Sequence, residues 1–216
     1  SATDPFTDDI MDIKFKDASN GYAAGDGDGI MYTTDGGVNW TQAAANLGPY
    51  PYTRTDIECI HVVNDTTMVA SGWGSLVGPQ PTIILVSTDS GLSWGPADAT
   101  YSFGTYTYGY DIDNFADNEL IIVGGGSGSS AISLNSTDLG DNWAPNDAFY
   151  GEDLRFCAVV PGTDRVFAGG DEGCLAISKN RGQDWTFVQD PGNGFGGWLD
   201  ITECVFVGDN GSIMTT

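Results

Sequence analysis

One octapeptide recurs four times, and it constrains this chain more than any other feature. It reads Thr33-Thr34-Asp35-Gly36-Gly37-Val38-Asn39-Trp40, then Ser87-Thr88-Asp89-Ser90-Gly91-Leu92-Ser93-Trp94. It returns as Ser136-Thr137-Asp138-Leu139-Gly140-Asp141-Asn142-Trp143 and as Ser178-Lys179-Asn180-Arg181-Gly182-Gln183-Asp184-Trp185. The shared pattern is Ser/Thr-x-Asp-x-Gly-x-x-Trp, with Asn180 standing once for Asp. These residue types suit a tight hairpin turn. Asp or Asn bonds backbone amides two residues on, Gly takes the position where φ turns positive, and Trp opens the next strand and packs back over the turn. Asp35, Asp89, Asp138 and Asn180, with Trp40, Trp94, Trp143 and Trp185, are therefore expected to be structural.

Two further strands precede each turn. Second strands are expected at 21–25, 68–72, 120–124, 166–170 and 204–208, and third strands at 29–34, 82–88, 131–137, 174–179 and 211–216. That makes five of each against four octapeptides. Glycine, 31 of 216 residues, clusters with Asp, Asn, Ser and Thr as strand punctuation. No amphipathic run is long enough for a helix. Each unit reads strand A, strand B, strand C, turn, strand D, at ~43 residues, the spacing of a propeller blade. The expected fold is all-β: one domain over 1–216, a five-bladed β-propeller with blades near 10–48, 55–100, 110–148, 153–190 and 196–216. The last blade lacks its outer strand. Residues 4–8, within an N-terminal 1–9 segment, are expected to supply it, close the ring and remove both open edges.

The stretch Met11-Asp12-Ile13-Lys14-Phe15-Lys16-Asp17, continued by Gly21-Tyr22-Ala23-Ala24-Gly25-Asp26 and by 29–40, resembles the Asp-box (bacterial neuraminidase) repeats of the photosystem II assembly-factor family. Similar boxes occur in bacterial sialidases and sortilin-type receptors. The resemblance implies a propeller. It implies no single activity, because the same box is found in enzymes, receptors and assembly factors.

Charge narrows the functional classes. Thirty acidic residues against seven basic ones give a net charge of −23. Nucleic-acid binding needs Lys and Arg to replace counterions, so it is excluded, and anionic membrane surfaces are disfavoured. Cation binding is permitted, and self-association is opposed. No apolar run has the length of a membrane span. Ser1 fits a mature terminus left after leader cleavage, which would put the protein outside the cell, in a periplasm or on a particle surface. Cys59, Cys157, Cys174 and Cys204 lie in apolar runs and are expected as buried free thiols, with one disulfide left open. There is no CxxC pair and one histidine, His61, so zinc is not expected.

The links between strands D and A carry the richest chemistry. They present Tyr52, then Tyr106, Tyr108 and Tyr110, then Tyr150, then Trp198, each run leading into an acidic residue. Aromatic faces beside carboxylates suit sugar rings or a protein partner's side chains; equally, they suit the gaps between blades. Three tyrosines at spacing two share one side of an extended segment. Asp12, Asp56, Asp111 and Asp153 precede Ile or Leu at the start of each strand A. Two readings are open for them: caps on a neighbouring blade's amides, or a converging ring that binds calcium. Of four arginines, Arg54 and Arg155 fall near this face, too few for a sialidase clamp. Sequons at Asn39, Asn64, Asn135 and Asn210 use residues that such turns need anyway. The expected function is a non-catalytic binding or assembly module for a protein or glycan, acting through an acidic, aromatic-rich face and without a cofactor other than calcium. The competing class is a glycoside hydrolase using the same carboxylates.

Overall fold

Short apolar runs broken by Gly and Asp fold as antiparallel hairpins. The structure is a computed structural model that describes residues 8–27, 29–46, 54–75, 82–97, 107–116, 118–126, 131–146, 152–189, 204–207 and 212–215. Among them the sole helical element is a single 3-10 turn, Asp171–Gly173. The chain divides into two compact units, Ser1–Gly109 and Tyr110–Thr216.

In the first unit, β1 (Ile10–Phe15), β2 (Gly21–Gly25), β3 (Gly29–Thr33) and β4 (Thr41–Gln42) form one antiparallel sheet in that order. β5 (Ala44–Ala45) then leaves that sheet and adds parallel to the outer strand of the next. That second sheet runs β6 (Arg54–Val62), β7 (Met68–Ser75), β8 (Thr82–Ser87), β9 (Ser93–Pro96) and β5. Tyr22 and Ile30 of the first sheet form one buried core with Ile57, Ile60, Met68, Leu85 and Trp94 of the second.

β10 (Thr107–Ala116) crosses into the second unit. It pairs with β11 (Glu119–Gly126), followed by β12 (Ile132–Ser136) and β13 (Ala144–Pro145). β14 (Leu154–Val159), β15 (Val166–Gly170), β16 (Leu175–Ser178) and β17 (Trp185–Gln189) make a second four-stranded sheet. β18 (Cys204–Val207) and β19 (Ser212–Thr215) form a hairpin. Ile121, Val123, Leu154, Cys157, Val159 and Val166 are the centre of the core. Up-and-down sheets of four antiparallel strands are the unit from which propellers are built. Five hairpins stand where the second and third strands were expected. The closing segment at 4–8 falls mostly outside the described residues.

The four boxes share one hydrogen-bond scheme, and it corrects the expected turn chemistry. The Ser or Thr hydroxyl, not the carboxylate, takes the nearby amides. Ser87 Oγ accepts from Asp89 N at 3.4 Å and Gly91 N at 2.9 Å, and donates to Asp89 Oδ1 at 2.8 Å. The carboxylate reaches four residues on: Oδ1 of Asp35, Asp89 and Asp138 each accepts the amide of Asn39, Ser93 and Asn142 at 2.9 Å. Asn180 does the same for Asp184. Left-handed backbone is needed at two consecutive positions. The second is always glycine, with φ from 77° to 91°, whereas the first is Gly36, Ser90 (64°), Leu139 (64°) or Arg181 (59°). The indoles of Trp40, Trp94 and Trp143 donate to the box glycine carbonyl. Trp185 departs and donates to Ser133 Oγ.

Candidate functional site

β1, β6, β10 and β14 each stand at one end of their sheet's strand order, where outer amides must find acceptors other than a ladder partner. In the first unit Asp12 Oδ2 accepts from Ile60 N of β6 at 2.9 Å. In the second, Asp111 Oδ2 accepts from Cys157 N at 2.7 Å and Asp113 Oδ2 from Val159 N at 2.6 Å, both on β14. Alternate residues of one strand thus clasp alternate amides of another. Asp113 carries no Asp-Ile signature and was not foreseen. Its signal was the spacing of two from Asp111.

Asp56 and Asp153 do something different. Asp56 Oδ1 accepts from Gly27 N at 3.1 Å, and Asp153 Oδ1 from Gly126 N at 3.1 Å, so each reaches back to a residue that precedes it in sequence, Gly27 in a turn and Gly126 at the end of β11. The cause is a β-bulge. The register shifts between Ile10 and Asp12, between Ile57 and Cys59, and between Leu154 and Phe156. Counting through the bulge aligns Asp56 and Asp153 with Asp9, not with Asp12. The glycines opposite confirm it: a Cβ on Gly25, Gly72 or Gly170 would lie 2.0–2.1 Å from the carbonyl oxygen of Asp9, Asp56 or Asp153. The four aspartates of the sequence pattern therefore occupy two registers and face two kinds of partner. Among the described residues no group of three or more His, Cys, Asp or Glu is placed to hold a metal ion.

Tyr108 and Tyr110 lie on β10, and each meets a named neighbour. Tyr108 sits edge-on to Trp73, centroids 5.6 Å apart and planes at 87°. Trp73 Nε1 donates to Glu58 Oε1 at 3.2 Å. The Arg155 guanidinium lies 4.1 Å above the centre of the Tyr110 ring. It also forks onto Asp171, Nε to Oδ1 at 2.8 Å and Nη2 to Oδ2 at 2.9 Å, and stands 3.7 Å from Asp153. Arg155 is the bulge residue of β14. Tyr52, Tyr106, Tyr150 and Trp198 lie outside the described residues.

Electrostatics follow from this crowding. Burial pushes the Asp153 carboxyl up; Arg155 opposes this, and Asp171 adds to it. Glu152 is also raised, first by burial and then by Glu172, Asp153 and Asp171. The Arg155 pKa is raised, chiefly by its bond to Asp171. Glu172, exposed, holds φ at 55°, a left-handed conformation rarely taken by a side chain of its size. The second unit thus holds a cation stacked on an aromatic ring between the carboxylates of Asp153 and Asp171. Elsewhere in that unit, on the box side, a cleft of about 690 Å³ is lined by Phe115, Glu119, Trp143, Asn146, Arg181 and Gln183. Arg181 there pairs with Glu119 and Asp164, and Asn135 Nδ2 donates to its carbonyl.

Boxes, bulged inner strands and clasping aspartates together describe a repeat, and the repeat has relatives. Residues 2–96 match the family model of the photosynthesis system II assembly factor YCF48. The chain resembles that Asp-box assembly-factor family. None of the curated proteins matches it. Among solved structures it is similar to U3-55K, with 12% identity over 89% of this chain and 53% of that one and a TM-score of 0.58. It is similar to the GH74 enzyme of Niastella koreensis, with 20% identity over 86% of this chain, 23% of the other, and a TM-score of 0.51. YCF48 bound to a D1 peptide gives 17% identity over 84% of this chain and 67% of that chain, with a TM-score of 0.44. The chain thus spans only part of the length of these structures, and at such identities the likeness is one of fold.

Proposed function

We propose that this chain is a non-catalytic assembly or binding propeller that recognises a protein partner through its acidic, aromatic-rich rim, outside the cytoplasm or on a particle surface. The observation that carries the reading is the match of residues 2–96 to a family described as an assembly factor. The chemistry of the rim supports it. Asp12, Asp56, Asp111 and Asp153 each accept a backbone amide, so their oxygens are engaged in holding strands and turns rather than poised as an acid–base pair. Aromatic rings with a polar or charged edge, such as Trp73 on Tyr108 and Arg155 on Tyr110, are what binding surfaces are rich in. Five blades closed by the N-terminal segment form the finer architecture of this proposal, and Tyr52, Tyr106, Tyr150 and Trp198, which lie outside the described residues, are its remaining candidate contacts.

The test is binding by the intact chain to peptide and glycan arrays, repeated with Trp73→Ala and Tyr110→Ala. The proposal expects retention of basic or aromatic peptides that weakens at least tenfold in one of the variants at unchanged melting temperature. Turnover of an aryl-glycoside panel, abolished by Asp153→Asn, would establish the hydrolase instead. Glycan retention without turnover would replace the protein partner by a saccharide.

A further inference from the structure

We infer that Asn64 is the position at which this fold accepts an N-linked glycan, and that Asn39 and Asn135 are not. All three head an Asn-x-Thr triplet: Asn39-Trp40-Thr41, Asn64-Asp65-Thr66 and Asn135-Ser136-Thr137. Sequence alone treats them alike. The side-chain hydrogen bonds separate them.

At Asn39 one N–H of the side-chain amide is committed to the box, and the side chain is fixed against the turn by it. Nδ2 donates to Asp35 Oδ2 at 2.7 Å, on a side chain whose own backbone amide is held by Asp35 Oδ1 at 2.9 Å. At Asn135 the nitrogen is turned inward and donates to the carbonyl of Arg181, 46 residues away, while its oxygen accepts from Asn146 Nδ2 at 3.0 Å. A sugar on that nitrogen would separate two packed elements. At Asn64 the polarity is reversed. Its oxygen is the anchored atom, accepting from Thr66 N at 3.0 Å, Thr67 N at 2.9 Å and Thr66 Oγ1 at 3.3 Å. Its nitrogen makes no hydrogen bond to any described residue. The segment is the turn between β6 and β7, and Asp65 and Thr66 are exposed.

Transfer takes place on a chain that has not finished folding, so the fold decides which products are compatible with the native state. The step forms a bond from Asn64 Nδ2 to the anomeric carbon of a lipid-linked oligosaccharide. The carbon–oxygen bond to the lipid pyrophosphate breaks, the pyrophosphate leaves with the electron pair, and the nitrogen loses one proton. Nothing is oxidised or reduced. The carbonyl oxygen keeps its three hydrogen bonds, so the Asx turn that shapes the hairpin survives.

The experiment is secretion from a eukaryotic host of a chain carrying Asn210→Gln, which removes the remaining sequon, followed by intact mass before and after amidase removal of N-glycans. The expected product carries one glycan. Thr66→Ala should abolish it while leaving the backbone bonds of the turn in place. Asn64→Asp should abolish it while keeping the acceptor oxygen, and so separates loss of the sequon from loss of the turn. Asn39→Gln and Asn135→Gln should leave the glycan mass unchanged wherever those variants are secreted. A glycan that persists in Thr66→Ala and Asn64→Asp, or a secreted protein with no glycan, overturns the inference.

Discussion

Asp111→Ala tests the central structural idea, that carboxylates of one inner strand satisfy the free edge of another. In the native chain Asp111 Oδ2 accepts from Cys157 N at 2.7 Å, and Cys157 is 7% exposed. Removing the carboxylate loses a charge-assisted hydrogen bond and leaves that amide without its acceptor at a site water reaches poorly, together about 2 kcal/mol. For a chain of this size that corresponds to a fall of about 4–8 °C in melting temperature. Asp113→Ala should cost a similar amount through Val159, also 7% exposed. The double variant should fall short of the sum, because both act on one strand. Asp111→Asn keeps an acceptor oxygen without the charge and should lose roughly half as much. Thermal and urea unfolding give the energies. Amide exchange gives the address: the Cys157 amide should exchange faster in Asp111→Ala, while amides of the β14–β15 ladder stay protected. A melting temperature within about 1 °C of wild type, with Cys157 exchange unchanged, would refute the reasoning.

Asp89→Ala should cost about 1–2 kcal/mol, as other lost caps do, without affecting ligand retention measured below the melting temperature. Its pH dependence has a definite sign. Burial works against the charged form of Asp89, but the bonds from Ser93 and Ser87 outweigh it and hold the carboxyl below its ordinary value. Asp35 and Asp138 are lowered too. The boxes therefore stabilise the fold above the ordinary carboxylate value, and lose that contribution as pH falls through their lowered values. Glu152 has the opposite sign: its carboxyl is raised, so its contribution falls as pH rises past the ordinary glutamate value. Glu152→Gln should then raise the melting temperature slightly at neutral pH and not near pH 3, by less than about 1 kcal/mol given its exposure. Calcium at millimolar concentration against chelator should shift the melting temperature by less than about 1 °C. A shift of several degrees that disappears in Asp153→Asn would show that these carboxylates converge on an ion.

Much of the fold was legible because the box is local. Eight consecutive residues contain the hydroxyl, the carboxylate, the glycine and the indole, so the pattern that identifies the turn is also the one that closes it. Even there the roles were exchanged: Ser87, not Asp89, takes the near amide, since the hydroxyl sits at the mouth of the turn and the carboxylate reaches across it. The rim was less legible because a bulge breaks the alternation that strand reading depends on. The dipeptides Asp12-Ile13 and Asp56-Ile57 look equivalent, yet Met11 and Glu58 are the extra residues, and Asp12 lies past its bulge while Asp56 lies before. Glycine at 25, 72 and 170 marked the true register, because each allows the close approach of the carbonyl of Asp9, Asp56 or Asp153. The stacking of Arg155 on Tyr110 joins residues 45 positions apart and leaves no local trace.

The clasps also change what the charge means. A net charge of −23 invites a search for a cationic partner. Yet Asp12, Asp56, Asp111, Asp113 and Asp153 hold backbone amides of other segments, and Asp35, Asp89 and Asp138 hold the boxes. An end strand of a sheet needs acceptors for its outer amides, and a short carboxylate is the side chain that supplies one at a fixed reach. Part of the acidity is therefore structural, and its bonds are short and partly shielded from salt. Among the described residues, Glu152 has other carboxylates for neighbours, Glu172, Asp153 and Asp171, and the proposed partner would meet its charge beside the Asp171–Arg155 pair. Salt should accordingly weaken partner binding far more than it weakens the fold, because exposed charges are screened over about 8–10 Å and the clasps are contacts.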